Sequence, residues 1–133
     1  MLFRSSPEAA LTDDRSAVQV ALAYHSAWTS KDLDAAMQYV AGDVVCVSPG
    51  GPLEGAAALR DFMEPFSRFL VGSRVLAAFG DEQTAVVYYD TETVPVPSAP
   101  AAELLTVRDG RIAHLRIVFD RAPFDAARGA ATT

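Results

Sequence analysis

Apolar residues return at helical spacing in the first half of the chain and at strand spacing in the second. In RSAVQVALAYHSAW, Val20, Tyr24, Ala27 and Trp28 recur every three or four positions, which predicts a helix ending near Ser30. Thr12, Asp13 and Asp14 stand before it, supplying capping oxygens and the negative charge that a helix N-terminus favours. KDLDAAMQYV predicts a second, short helix, capped by Asp32, that buries Leu33, Ala36, Met37 and Val40 and ends at Gly42. DVVCVS is short and β-branched and reads as a strand. PGGPLEG then turns the chain toward a third helix, AAALRDFMEPFSRFL, in which Pro65 predicts a kink or an early break.

The second half holds four strand-like runs: SRVLAAFG, TAVVYYDTETV, AAELLTVRD and RIAHLRIVFD. They are separated by GDEQ, the proline-rich PVPSAP and a tight Asp109-Gly110 turn. Three helices followed by a curved antiparallel meander is an α+β layout. The tail RAPFDAARGAATT is expected to fray after Phe124.

Half of the 133 residues are apolar, enough for one core and too short a chain for two typical domains. We expect a single domain over residues 1–133, with flexible ends at about 1–11 and 125–133. The net charge of -6 and the lack of a Lys/Arg cluster argue against a nucleic-acid partner. No segment approaches the roughly 20 apolar residues that span a bilayer, so no membrane role is expected. The single cysteine, Cys46, cannot form an intramolecular disulfide, and the expected setting is soluble and cytoplasmic. Two histidines in unrelated elements lack the paired spacing of metal ligands, so no metal or cofactor is expected.

The order helix, helix, short strand, helix, bent sheet resembles the NTF2-like cone. AWTSKDLDAAMQYVAGDVV, LEGAAALRDFM and VRDGRIAHLRIVFD resemble its SnoaL-like branch, and the likeness runs from about Ala17 to Asp120. That resemblance implies helices packed on a curved sheet around an apolar cavity. Its relatives include ketosteroid isomerase, polyketide cyclases, limonene-epoxide hydrolases, dehydratases and non-catalytic modules, so fold alone does not name a reaction. By resemblance to the isomerase, Tyr24 stands at the oxyanion-hole tyrosine, Ser48 replaces the general base, and Glu103 replaces a protonated Asp. By resemblance to the cyclases and epoxide hydrolases, Ile117 replaces a last-strand Asp. Asp90 falls on the strand where the hydrolases carry an Arg/Asp pair and is the candidate replacement.

Strand alternation then assigns faces. With Glu103 inward, Leu105 and Val107 follow it, and Leu115, Ile117 and Phe119 face inward on the last strand. The resemblance turns Val86, Tyr88 and Asp90 inward, with Glu92 at the rim. The helices contribute Val20, Tyr24, Trp28, Phe62, Met63 and Phe66; Cys46 and Ser48 share a parity that could reach the same space. His25 points away from Tyr24 and is expected at the surface, with His114 and Arg116 on the outer sheet face. Cys46 is read first as a small buried hydrophobe, since no partner activates it.

The catalytic candidates are therefore Tyr24, Asp90 and Glu103. In an apolar cavity one carboxyl could stay protonated and donate with Tyr24 to a carbonyl oxygen, while the better solvated one moves a proton on carbon. This describes a cofactor-independent isomerase, cyclase or dehydratase acting on a small hydrophobic carbonyl or polyketide-like molecule. The alternatives are a non-catalytic small-molecule-binding module and a dimerisation module. A homodimer through the outer sheet face is expected from Ala85, Val87, Leu104, Thr106 and Val118.

Overall fold

The computed structural model describes residues 16–132; the expected capping run Thr12 to Asp14 and the flexible end at 1–11 lie outside them. Helix α1 (Ala17–Thr29) starts at Ser16, whose Oγ accepts from the Gln19 amide at 3.2 Å. Gln19 Oε1 in turn accepts from the Ser16 amide at 3.1 Å, a reciprocal cap that satisfies two otherwise unpaired donors. Helix α2 (Leu33–Met37) is capped by Asp32, as expected, through the Ala35 amide at 3.0 Å. Helix α3 (Ala56–Phe69) runs through Pro65 without ending there. Pro65 and Asp61 lie on the exposed stripe, so the carbonyl left without a proline N–H faces water rather than the core.

The strands are β1 (Val40–Ser48), β2 (Gly51–Glu54), β3 (Leu70–Gly80), β4 (Thr84–Thr93), β5 (Ala101–Arg108) and β6 (Arg111–Phe119). They form one curved, unclosed sheet in the order β2-β1-β6-β5-β4-β3. Every pairing is antiparallel except that of β1 with β6. The turn segment PGGPLEG contains β2, and Ser48 closes that hairpin by donating to the Gly51 carbonyl and accepting from the Gly50 amide.

A fourth helix, α4 (Ala122–Thr132), follows the sheet where a frayed tail was expected. Asp120 Oδ1 accepts from the Ala122 amide at 2.9 Å and Asp125 puts negative charge in the first turn. Its alanine content favours the helix further. The core lies between α1, α3 and the concave sheet face, with Val20, Tyr24, Leu59, Leu105, Ile112 and Leu115 all but fully enclosed. Each such side chain contributes about 1.5–3 kcal/mol of burial.

Candidate functional site

On the concave face a cavity of about 50 Å³ is walled by Tyr24, Trp28, Phe62, Met63, Phe66, Tyr89, Ala101, Ile117, Phe119 and Phe124, with Thr91 and Ala99 at one side. Its one acid is Glu103, which is 5% exposed. The Tyr89 hydroxyl donates to Glu103 Oε2 at 2.5 Å. Among the described residues no cation pairs with this carboxyl. Burial therefore raises it from 4.5 to about 7, against the Tyr89 hydrogen bond, which favours the charged form. At neutral pH it is poised between acid and base.

Tyr24 reaches the same cavity from α1 and donates its hydroxyl to Met63 Sδ at 3.1 Å. A thioether is a weak acceptor, so this proton is available to a better one. Burial, with the charges of Glu103 and Cys46 adding to it, keeps the phenol protonated. The site thus combines a titratable carboxyl, the hydroxyls of Tyr24 and Tyr89 and an apolar wall.

Tyr24, Trp28, Phe62, Met63, Phe66, Glu103, Ile117 and Phe119 meet there as the sequence predicts. Val20, Leu105 and Leu115 are core residues beyond the cavity wall, and Ser48 serves the β1–β2 turn. Cys46 is wholly buried, and burial, then the charge of Glu103, pushes its thiol up to about 11, so it stays protonated and is no nucleophile.

Two expectations on β4 are corrected. The buried positions are Ala85, Val87, Tyr89, Thr91 and Thr93, so Val86, Tyr88, Asp90 and Glu92 face outward. Val87 is paired with Glu103 in the β4–β5 register, which fixes that parity on the cavity side. Tyr88 is therefore not part of this cavity's wall. Asp90 accepts from Ser98 Oγ at 3.0 Å and from the Ala99 amide at 3.0 Å, fastening the connection to β5. It cannot share a substrate with Glu103, because the sheet lies between them. Charge content could have decided the parity: one face of TAVVYYDTETV carries two acids and the other none.

The same inversion hid Tyr89, whose ring holds a second surprise. His25, expected at the surface, is buried with its ring edge-on to Trp28 at 5.1 Å and to Tyr89 at 4.5 Å. Its Nε2 lies 3.1 Å from Ser73 Oγ, and that hydroxyl donates onward to the Asp90 carbonyl at 3.0 Å. Ser73 has one proton, so His25 donates through Nε2–H. Burial lowers His25 from 6.5 to about 4 and keeps it neutral, a rigid backing for Tyr89. Among the described residues no group of three His, Cys, Asp or Glu could hold a metal ion, and no helix is long and apolar enough to cross a membrane.

The sequence matches the model of the SnoaL-like domain over residues 21–115. The chain is similar to a crystal structure of a protein from Kribbella flavida DSM 17836, with 64% identity and a TM-score of 0.86 over 88% of this chain and 97% of that one. An NTF2-like protein from Cytophaga hutchinsonii ATCC 33406 shares the fold at 20% identity, with a TM-score of 0.73 over 86% and 99% of the two chains. So does a candidate polyketide cyclase from Sinorhizobium meliloti, at 24% identity, with a TM-score of 0.67 over 75% and 94%. No curated protein matches in sequence. With the family's pattern running from α1 through most of β6, the chain belongs to the SnoaL-like domain family, built on the NTF2-like fold.

Proposed function

We propose that this chain is a cytoplasmic, cofactor-independent acid/base enzyme of the isomerase, cyclase or dehydratase type, acting on a small hydrophobic carbonyl or polyketide-like molecule. Asp90 faces away, so Glu103 takes the base role. Ionised Glu103 removes a proton from the carbon beside the carbonyl, the electron pair moves onto oxygen, and the Tyr24 hydroxyl donates to the developing oxyanion. Protonated Glu103 then returns the proton to carbon. The Tyr89 hydrogen bond holds Oε2, leaving Oε1 for the transfer.

The observation that carries this reading is the sharing of one apolar cavity by Tyr24 and a carboxyl raised to about 7. The likeness to a candidate polyketide cyclase agrees with it. The test is deuterium uptake from D2O into a panel of cyclic ketones, followed by NMR. Glu103→Gln should lower exchange by about 10²–10⁴-fold, and Tyr24→Phe by about 10²-fold. Wild-type protein that exchanges no ketone faster than buffer does would sink the enzyme reading.

One observation favours a second reading, a non-catalytic binding module: the cavity holds a single carboxyl, with Ser48 and Ile117 where relatives place a base. In that case the same two substitutions change ligand affinity and nothing else. Under either reading we propose a homodimer through the outer sheet face.

A further inference from the structure

The inner cavity is small for the ligand that the proposed function asks of it. Its 50 Å³ suits a few water molecules, whereas sites that enclose an organic ligand run to roughly 300 Å³ or more. Beside it lies a wider groove of about 730 Å³ between α3, the β1–β2 turn and α4. Phe62, Phe66, Phe119 and Phe124 line both spaces and form the partition between them. Phe62, Phe66 and Phe119 belong to α3 and β6, which pack on the core. Phe124 belongs to α4, where Phe124 and Ala127 alone among residues 122–129 are not exposed. Its ring lies 6.0 Å from Phe66 and 5.6 Å from Phe119. The base of α4 is pinned by the Asp120 cap and by Arg121 donating to the Pro49 carbonyl at 3.3 Å. Beyond that base, Phe124 and Ala127 are the half-buried residues among 122–129, and Phe124 makes the ring contacts that hold the helix against α3 and β6.

We propose that Phe124 is a gate and that the groove is the outer half of the ligand site. It takes the apolar tail of the same molecule whose carbonyl end reaches Glu103 and Tyr24; the identity of that inner end rests on the proposed function. The groove suits such a tail. Pro65, Phe69 and Pro95 line it, and Phe69 is 53% exposed, an aromatic surface that a tail would cover. The charges at its edge are mixed, Asp61 and Asp125 against Arg121 and Arg128, with Arg128 paired to Asp125 at 2.8 Å. That balance selects a neutral chain over an ionic one. The ligand class is thus a ketone carrying a neutral alkyl or aryl tail, and α4 swings about residues 120–121 to admit it.

Trp28 is the single tryptophan of the chain and lines the inner cavity, so its quenching by acrylamide reads the gate without any ligand. Phe124→Ala should raise the quenching constant about three-fold or more, by making local opening easier, and Phe124→Leu should return it toward wild type. Acetophenone and octanophenone, titrated against Trp28 fluorescence, then separate the two halves of the site. Octanophenone should bind about ten-fold tighter or more, because its extra methylenes leave water. Phe69→Glu should weaken octanophenone by a similar factor and leave acetophenone within about two-fold. A quenching constant that ignores Phe124→Ala, or equal affinity for the two ketones, overturns this inference while leaving the proposed chemistry standing. Wild-type protein that binds neither ketone overturns the carbonyl reading, and the tail site with it.

Discussion

Glu103 and His25 touch Tyr89 from two directions, one at its hydroxyl and one at its ring, and they titrate with opposite consequences. The folded state keeps a proton on Glu103 that the unfolded chain releases near 4.5, so its stabilisation is full below that pH and is lost as pH rises to about 7. The folded state refuses His25 a proton that the unfolded chain accepts near 6.5, so its stabilisation is full above that pH and is lost as pH falls toward 4. Each amounts to about 3 kcal/mol, and between 4.5 and 6.5 they oppose and largely cancel. Glu103→Gln should therefore lose stability as pH falls from 6.5 to 4, whereas His25→Phe should lose it as pH rises from 4.5 to 7. Urea midpoints at half-unit pH steps would decide this, and parallel slopes in the two variants would refute it. Asp81, held below the usual carboxylate range by the Gln83 and Thr84 amides, contributes equally to all three proteins. Asp90 makes a different kind of prediction. Its carboxylate anchors Ser98 and Ala99 on the outer face, so Asp90→Ala should cost about 1–2 kcal/mol in chemical denaturation and leave ketone exchange at the wild-type rate.

Among the elements, the β3–β4 hairpin carries the tightest constraint. A Cβ at Gly80 would lie 2.2 Å from the Thr84 carbonyl oxygen and 2.7 Å from Ala85 Cα, both backbone atoms that cannot step aside. Gly80→Ala should then cost about 1–3 kcal/mol or more through forced backbone shifts. A thermal midpoint equal to wild type would show that the turn relaxes freely. This hairpin also marks where the sequence stopped being legible. Helix periodicity placed α1, α3 and the start of α2, and β-branched runs placed every strand but β2, because burial of one face imposes those periods directly; the second helix stops at Met37, and Val40 and Gly42, assigned to it, belong to β1. The family resemblance turned Glu103 to the correct face, and alternation carried Leu105 with it and set Ile117 and Phe119 inward on β6. On β4 both faces of VVYYD are apolar enough to pass as interior, and a one-residue choice exchanged Tyr89 for Tyr88 and turned Asp90 inward. His25 was lost for a related reason: a helix wheel gives direction around an axis, not how far β3 and β4 reach across it. Phe124 was invisible because α4 gains its place partly from ring contacts with Phe119 and with Phe66, and Phe66 lies far from it in the chain.

At the scale of the molecule, the parity of β4 also rewrites the expected contact between copies. Ala85 and Val87, once assigned to the outer face, are in the core, and the outer face instead presents Val86, Tyr88, Leu104 and Val118, each 38–58% exposed. The registers set them side by side: Tyr88, Ala102 and Val118 form one row across β4, β5 and β6, and Val86, Leu104 and Arg116 form the next. Phe79, 70% exposed, extends the second row onto β3. A contiguous apolar patch of this kind is more than a soluble monomer usually leaves wet, and a two-fold axis would bury it against the same patch of a second copy. We expect a homodimer, with a light-scattering mass twice the 14.2 kDa of the chain at micromolar concentration. In a two-fold interface each substitution occurs twice, so Leu104→Lys combined with Val118→Lys should place four charges in the buried patch and yield a monomer. Because Leu104 and Val118 point away from Glu103, that monomer should keep its ketone exchange. A monomeric wild type would remove the interface, and a monomeric variant that folds but has lost exchange would mean that the two sheet faces are coupled.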